Sequence, residues 1–255
     1  MVSLLLPKGP YLGKVHGMPF YLLPHTCESV DYLFSSFEPY TTELFQRAIR
    51  PDSVVLDIGA QLGYFSLLAA RWTGPKGKVF AFEPAPSNFA LLESNVRLNG
   101  YASIVHPVQK AVGEKNVQTT FFIYRDSASH VMYPDPQVKV RETISVECIA
   151  IDDFLEGRPV DVIKMDIEGN EPNALKGMSC TIQRNPDLVL FAEYAPAFLR
   201  RAGVQPEAYI THLESLGFYP QMIDEDTRRL RPVARETYEV KHPTWHVNLY
   251  CTKMR

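Results

Sequence analysis

The chain has 255 residues, of which 45% are hydrophobic and 22% are charged. These fractions exclude a disordered, collagen-like or disulfide-stapled chain, and the length allows one large hydrophobic core. The 26 lysines and arginines against 29 acidic residues give a net charge of -3, without the overall basic field that draws proteins onto duplex nucleic acid.

The start of the chain carries no predicted export signal or membrane anchor. Its apolar run, residues 2–6, is far shorter than a signal-peptide core or a membrane span. The four cysteines are widely scattered, without the CxxC or Cys/His spacing of a zinc site, which favours reduced thiols and no metal site. We therefore expect a cytoplasmic protein that makes no membrane contact.

Residues 1–37 are predicted to form an N-terminal cap, because glycines and prolines are interspersed there with short apolar pieces. From residue 38 to residue 255, apolar strand-like runs alternate with helix-like stretches. This alternation is typical of βαβ units, and it predicts a Rossmann-like α/β domain with a doubly wound, mostly parallel sheet of seven strands. Ligands of such sheets bind outside the carboxyl ends of the strands.

The predicted elements follow one another in chain order. A strand (53–58) precedes a helix (62–72), a second strand (78–82) precedes a helix (86–98), and a third strand lies within residues 103–112. Residues 117–150 interrupt the alternation as an insertion with two extra strands (119–124 and 143–149), which we expect to lie over the active face. Strands 160–167 and 188–194 follow, with a helix beginning near Asn170 between them. A late helix (206–216) precedes a closing antiparallel pair (218–223 and 246–252).

The sharpest local motif is Asp57-Ile58-Gly59-Ala60-Gln61-Leu62-Gly63, in which a strand ends in a glycine turn that leads into a helix. Gly59 allows the backbone to turn and a ligand to approach, and Gly63 allows close packing at the helix start. Asp57 can bind a polar or cationic group held over the turn. A dinucleotide-binding turn would carry a second glycine where Gln61 stands, so that a pyrophosphate could rest on the helix N-terminus.

A second acidic residue, Glu83, ends the next predicted strand within Phe80-Ala81-Phe82-Glu83-Pro84. An acidic side chain at this place can accept hydrogen bonds from both hydroxyls of an adenosine ribose. Taken singly, Asp57 and Glu83 could also be polar strand ends or helix caps. Because each follows an apolar strand, the pair together favours a nucleoside pocket.

The third motif is Lys164-Met165-Asp166-Ile167-Glu168-Gly169-Asn170-Glu171, at the end of the predicted strand 160–167. Alternation with a period of two places Lys164, Asp166 and Glu168 on one side of the strand end. Three acids within six positions are costly unless solvent, a cation or a substrate donor meets them. The alternative interpretation is a solvated loop that caps the next helix, and Glu171 is the residue that suits such a capping role best.

These three motifs, in this order, make the chain resemble the FkbM-type methyltransferases, a branch of the class I S-adenosylmethionine-dependent enzymes, over residues 38–223. Gln61 departs from the glycine of the broad class I pattern, but the FkbM branch usually carries another residue there. The family also tends to have an acidic residue followed by proline before the first strand, which Glu38-Pro39-Tyr40 matches. That segment could close over the methionine end of the cofactor or simply start a helix.

The resemblance implies S-adenosylmethionine as the cofactor and assigns roles to residues of the three motifs. Asp57, Gly59, Ala60 and Gly63 would surround the methionine end, and Glu83 would hold the ribose. The segment after the third strand, at Ala111 and Val112, would border the adenine. Methyl transfer from a sulfonium is an in-line displacement, so Asp166 or Glu168 would orient the acceptor or remove its proton.

The acceptor implied by the resemblance is a hydroxyl on a sugar, a polyketide or another small metabolite. His130, in the insertion, and Glu193 and Tyr194, at the end of the strand 188–194, are candidate substrate-binding residues. The alternatives are an ordinary surface histidine for His130 and a fixed core tyrosine for Tyr194. Homodimer formation is left open.

Three other functions compete with a small-molecule O-methyltransferase. A methyltransferase acting on RNA or protein shares the fold, but RNA binding calls for a basic, aromatic-rich surface, and the charge balance disfavours nucleic acid. A NAD-dependent oxidoreductase is disfavoured by the broken glycine pattern. A non-enzymatic adenosine-binding protein is disfavoured by the acidic cluster at Asp166 and Glu168.

Overall fold

The computed structural model describes residues 9–24, 26–124, 130–234 and 245–254. Two features of the sequence lie outside the described residues: the apolar run at residues 2–6 and the segment 127–129, which precedes His130.

The described part of the chain begins with an antiparallel hairpin, β1 (Tyr11–Val15) and β2 (Met18–Leu22), and a helix, α1 (Cys27–Phe34). The bounds of the remaining elements are α2 (Pro39–Ala48), β3 (Val54–Ile58), α3 (Tyr64–Thr73), β4 (Lys78–Phe82), α4 (Pro86–Leu98) and β5 (Val105–Val108), then β6 (Ala111–Val112), β7 (Val117–Tyr124), β8 (Val140–Ile149) and α5 (Ile151–Leu155), and finally β9 (Val162–Met165), α6 (Glu171–Lys176), α7 (Ser179–Arg184), β10 (Val189–Tyr194), α8 (Pro196–Arg201), α9 (Pro206–Ser215), β11 (Phe218–Asp224), β12 (Arg229–Pro232) and β13 (Val247–Lys253).

The main sheet has eight strands in the order β12-β11-β13-β10-β9-β3-β4-β5. The five strands from β10 to β5 run parallel, and β13, β11 and β12 each pair antiparallel with their neighbour. This arrangement confirms the predicted α/β fold with a mostly parallel sheet. The eighth strand, β12, was not predicted because its sequence, Arg-Leu-Arg-Pro, is mostly exposed and lacks an apolar face.

The strand order places a crevice at the centre of the sheet. From β3 the chain moves outward through β4 and β5 on one side, and it later returns to β9 and β10 on the other side of β3. Ligands of doubly wound sheets bind at such a reversal, outside the carboxyl ends of the strands. The strand ends at Ile58, Phe82, Met165 and Tyr194 therefore define the edge at which a functional site is expected.

The N-terminal hairpin and α1 share the hydrophobic core of the main domain. Phe20, Leu22 and Tyr32 are buried in the same cluster as residues of α3 and α4. Asn95 of α4 accepts a hydrogen bond from the Tyr21 N–H (2.6 Å) and donates one to the Tyr21 carbonyl (3.2 Å). The cap is therefore attached by both apolar packing and backbone hydrogen bonds.

A second, three-stranded sheet has the order β6-β8-β7, and β7 and β8 contain the extra strands predicted at 119–124 and 143–149. Residues 130–139, the described part of the connection between β7 and β8, contact two helices of the main domain. Tyr133 donates a hydrogen bond from its hydroxyl to Asn170 Oδ1 (3.3 Å), at the start of α6, and Asp135 pairs with Arg201 of α8 (2.6 Å). Because α6 follows β9, Tyr133 lies near the carboxyl end of that strand.

Within the parts of the chain that the structure describes, no helix combines the length and the apolarity that a bilayer crossing requires.

Candidate functional site

The turn after β3 is held rigidly between two neighbouring strand ends. Gly59 has φ +89° and Gln61 has φ +51°, and the N–H groups of Gly59 and Ala60 donate to the Phe82 carbonyl (3.0 and 2.9 Å). A Cβ built on Gly59 would lie 1.9 Å from the Asp166 carbonyl oxygen. The sequence suggested that this glycine allows a ligand to approach, but the turn after β9 occupies the space of its missing side chain.

The second glycine of the turn behaves as expected from the sequence. A Cβ on Gly63, whose φ is +94°, would lie 2.7 Å from Leu92 Cδ1. The start of α3 therefore packs closely against α4, and a larger residue would separate the two helices. Gln61, between the glycines, accepts a hydrogen bond from the Tyr32 hydroxyl (2.8 Å) and so connects the turn to α1. The sequence carried no signal for this contact.

We expect Gly59→Ala to destabilise the fold by more than about 3 kcal/mol, because it combines a left-handed backbone with a backbone clash. Gly100→Ala is the matched control: Gly100 has φ +70°, and a Cβ there would meet nothing within 4 Å. That control should cost about 1 kcal/mol, the conformational part alone. Urea unfolding of both variants measures the difference. Equal losses would mean that the turn after β9 yields to the added methyl group.

Asp57 is buried at the carboxyl end of β3. Its Oδ2 accepts a hydrogen bond from Ser66 Oγ of α3 (2.5 Å), and the residue is 2% exposed. Burial raises the pKa of this carboxyl to about 6, although the bond from Ser66 and the nearby Lys164 cation lower it. Part of its hydrogen-bonding capacity is therefore used within the protein, to tie β3 to α3.

Glu83 presents an oriented carboxylate at the end of β4. Its Oε2 accepts from the Gln61 N–H (2.9 Å) and its Oε1 accepts from the Ala85 N–H (2.8 Å). The Asn88 side chain also hydrogen-bonds this carboxyl, so one of its four acceptor positions remains for a ligand. Burial raises the pKa of Glu83 to about 7, although these backbone hydrogen bonds lower it.

The raised pKa of Glu83 predicts a pH dependence of stability. A folded-state pKa above the unfolded value means that the folded protein holds a proton that the unfolded chain releases, so stability falls as the pH rises from about 4.5 to 7. Glutamine cannot ionise. Between pH 5 and pH 8 we therefore expect the free energy of unfolding of Glu83→Gln to fall by roughly 2 kcal/mol less than that of the wild type.

Urea unfolding across this pH range tests the prediction. The slope of unfolding free energy against pH is compared between the variant and the wild type, because the contributions of the histidines and other acids are the same in both proteins. Glu93→Gln, at an exposed position on α4, should follow the wild type. A Glu83→Gln profile parallel to that of the wild type would contradict the assignment.

Lys164 is the buried cation of the site, a role that sequence analysis did not assign. It is 1% exposed, its Nζ lies 3.1 Å from Asp166 Oδ2, and it donates to Asn248 Oδ1 (3.0 Å). Burial lowers the pKa of Lys164, but the negative charges of Asp166 and Glu38 outweigh burial and raise it above its ordinary value. The available signal was a lysine among the apolar residues of a central strand, where a charge requires a partner.

Asp166 and Glu168 lie in the turn after β9 and not in the strand itself, which ends at Met165. Lys164 and Asp166 share one side, as the alternation predicted. Glu168 has φ +58°, so the turn and not the strand period sets its direction. Both acidic residues are partly exposed at the carboxyl edge.

Asn170 is the N-cap residue of α6, and Glu171 instead binds the turn before the helix. Its Oε1 accepts from the Ile167 N–H (2.9 Å) and its Oε2 accepts from the Gly169 N–H (3.0 Å), so its carboxyl binds the turn that carries Asp166 and Glu168. The residue is 1% exposed, and burial raises its pKa to about 7. Glu171 therefore fixes the position of this turn through two backbone hydrogen bonds.

Two further carboxyl groups complete the cluster around Lys164. Glu193 is buried at the end of β10, opposite Asn248 in the register with β13, and Glu38 lies at the start of α2. Within the described part of the chain, Glu38 Oε2 and Glu193 Oε2 are both enclosed and have no hydrogen-bond partner. Burial raises the pKa of both groups. The pKa of Glu193 lies well above its usual range, because the negative charges of Asp166 and Glu168 raise it further.

The remaining predicted residues make other contacts. Tyr194 is fully buried, stacked on Tyr209 with the ring centroids 6.4 Å apart, which favours the alternative interpretation of a fixed core tyrosine. Ala111 and Val112 form β6, and their side chains are buried in apolar clusters. His130 is partly exposed in the β7–β8 connection, where its Nδ1 accepts from the Tyr124 N–H (3.3 Å).

Comparison with known proteins identifies the family. Residues 57–220, more than half of the chain, match the model of the methyltransferase FkbM domain. The chain is 25% identical to Methyltransferase 1 of Beauveria bassiana over 147 residues, which cover 50% of this chain and 59% of that protein. It is also 25% identical to the hexuronic acid methyltransferase AglP of Haloferax volcanii over 184 residues, which cover 69% of this chain and 71% of AglP.

Solved structures support the fold. A methyltransferase FkbM from Methylobacillus flagellatus matches with a TM-score of 0.51 and 20% identity, over 82% of this chain and 50% of that one. An O-methyltransferase from Bacillus cereus, solved in complex with SAH, matches with a TM-score of 0.50 and 12% identity, over 85% and 80% of the two chains. The chain therefore belongs to the FkbM family of S-adenosylmethionine-dependent methyltransferases.

Proposed function

We propose that this protein transfers a methyl group from S-adenosylmethionine to a hydroxyl of a small metabolite. One observation carries the proposal: buried carboxyl groups converge at the central strand ends, and two of them have enclosed oxygens without a partner among the described residues. Buried polar atoms in native proteins are normally hydrogen-bonded. A ligand that brings several hydrogen-bond donors to this edge would supply the missing partners.

The donors of S-adenosylmethionine fit these acceptors. Glu83 has one acceptor position left, which suits a ribose hydroxyl, and Glu38 Oε2 suits an ammonium such as that of the methionine end. A dinucleotide fits less well, because its pyrophosphate would face the carboxyl groups of Asp57, Glu83 and Asp166. The acceptor atoms of Glu83 and Glu38 therefore support the cofactor that the three motifs imply.

The chain's own groups would prepare the acceptor for attack. When bound, S-adenosylmethionine supplies a methyl group on a sulfonium, and its carbon–sulfur bond breaks to leave a neutral thioether. Asp166 would accept the proton of the acceptor hydroxyl as the new carbon–oxygen bond forms, and Lys164 holds its Oδ2 in place (3.1 Å). Glu168 lies in the same turn and is the second candidate for this role.

The acceptor would reach this edge between β10 and the β7–β8 connection. Glu193 presents an enclosed oxygen there, and burial raises the pKa of this carboxyl well above its usual range. His130 and Tyr133 lie in the β7–β8 connection, in which Tyr133 is bound to Asn170 and Asn173. The name of the relative AglP, a hexuronic acid methyltransferase, makes sugar acids the first acceptors to test.

Two measurements test the proposed function. Calorimetric titration with S-adenosylmethionine, S-adenosylhomocysteine and NAD should show binding of the first two and not of NAD. Transfer of a labelled methyl group is then measured with uronic acids, neutral hexoses, hydroxylated polyketides, RNA and protein in parallel. Labelling of RNA or protein alone would contradict a small-molecule acceptor, and binding of NAD alone would contradict the cofactor.

A further inference from the structure

Helix α2, which carries Glu38 at its start, is capped by a distant residue. The side chain of Glu38, the N-cap residue, makes no capping hydrogen bond. Instead Glu225, in the turn after β11, accepts the Tyr40 N–H on Oε2 (2.6 Å) and the Thr41 N–H on Oε1 (2.9 Å). The Thr41 hydroxyl also donates to Glu225 Oε1 (2.6 Å). A carboxylate 185 residues away therefore satisfies donors that an N-cap side chain normally binds.

Because Glu225 caps the helix, the carboxyl of Glu38 contacts the site, where the Asn248 side chain hydrogen-bonds it. Glu38 has φ +42° and ψ +57°, a left-handed conformation that is costly for a residue other than glycine. In this conformation its Oε2 is enclosed without a partner among the residues described, and its charge acts on Lys164. Strain of this kind persists only where the surrounding structure holds it.

The same turn grips α2 at a second place. The guanidinium of Arg228 lies over the Tyr40 ring, 5.4 Å from its centroid, and pairs with Glu43. Both contacts involve exposed or half-buried groups, so their contribution is small compared with the enclosed cap. The turn between β11 and β12, residues 225–228, thus holds the first turn of α2 from two sides.

We infer that Glu225 is a positioning residue for cofactor binding: by capping α2 it frees Glu38 from that role and directs the Glu38 carboxyl towards the Lys164 cluster. The inference rests on the proposed function, in which Glu38 accepts the ammonium of S-adenosylmethionine. Glu225 itself would not touch the cofactor. Its effect on binding should therefore pass through Glu38 and disappear when Glu38 can no longer act.

The first test is the affinity of Glu225→Gln for S-adenosylmethionine, measured by calorimetry. The glutamine keeps one acceptor oxygen, but its NH₂ group cannot accept the Tyr40 N–H, so the start of α2 loses a bond. We expect a dissociation constant about 10-fold weaker, equivalent to about 1.4 kcal/mol. Glu43→Gln is the matched control on the same helix, because it removes only solvent-accessible ion pairs, with Arg47 and Arg228, and it should change affinity less than about 2-fold.

The second test is a double-mutant cycle. If Glu225 had only a structural role, its effect on affinity would add to that of Glu38. Glu38→Gln alone should weaken binding about 10-fold, and adding Glu225→Gln should weaken it less than about 2-fold further, because coupled residues are not additive. Thr41→Val, which removes the hydroxyl bond to Glu225 at nearly constant volume, should reproduce the Glu225 effect in part and is used if Glu225→Gln does not fold.

The outcomes separate the inference from the proposed function. If the wild type binds neither S-adenosylmethionine nor its demethylated product, the proposed function fails, and the inference fails with it. If the wild type binds and Glu225→Gln or Thr41→Val binds equally well, the inference alone is overturned. Additive losses in the cycle would also overturn it, since Glu225 would then act independently of Glu38.

Discussion

Replacing Glu83 with alanine should weaken S-adenosylmethionine binding at least about 10-fold. A hydrogen bond to a charged acceptor contributes about 1.5–3 kcal/mol, and the variant would lose such a bond to the ribose. It would also release the Gln61 and Ala85 N–H groups, which Glu83 now holds at 2.9 and 2.8 Å. The measurement is calorimetric titration of the wild type and the variant with the cofactor and with S-adenosylhomocysteine.

A control separates loss of the acceptor from general damage to α4. Glu93→Ala removes an exposed carboxyl from the same helix and should leave cofactor affinity within about 2-fold. Urea unfolding of Glu83→Ala shows whether the protein remains folded under the titration conditions. Unchanged affinity in a folded Glu83→Ala variant would rule out Glu83 as the ribose acceptor.

Replacing Asp166 with asparagine should slow methyl transfer by about 10²–10⁴ and change cofactor affinity less than about 3-fold. Asparagine preserves the shape of the side chain but cannot accept a proton, and general base catalysis contributes a factor of this size. The variant leaves Lys164 without its carboxylate partner, so its stability is measured as well. The assay follows the labelled methyl group into the best acceptor found in the screen, at saturating cofactor.

Glu168→Gln is the companion variant, since Glu168 lies in the same turn and is the other candidate base. A large loss of turnover in Asp166→Asn with a small loss in Glu168→Gln would support Asp166. The reverse pattern would transfer the role to Glu168. Full turnover in both variants would show that neither carboxyl removes the proton.

Residues close together in the sequence were predicted well. The motif from Asp57 to Gly63 indicated a strand, a turn and a helix, and β3, the glycine turn and α3 follow in that order. The packing reason for Gly63 was also readable, because a glycine at a helix start in a βαβ unit usually permits a close approach. The sequence also predicted the start of a helix near Asn170, which is the N-cap residue of α6.

Residues distant in the sequence were predicted poorly. The partners of Lys164 are Asp166, two residues away, and Asn248, 84 residues away, and the second of these could not be anticipated. Glycine is required at position 59 because the Asp166 carbonyl, in the turn after β9, leaves no space for a Cβ. The hydrogen bonds that cap α2 come from Glu225. Tyr194 was considered for the acceptor site because it ends a strand, but strand alternation directs it into the core.

The sequence by itself determined the order of strands and helices, the turn chemistry and the family, because these depend on local periodicity and on short motifs. The tertiary structure decided which carboxyl groups meet, which of them lose water, and which keep an oxygen without a partner among the described residues. Desolvation and pairing depend on the approach of β3, β9, β10, β13 and the start of α2 to one another. Such approaches join segments nearly 200 residues apart, and no local pattern in the chain records them.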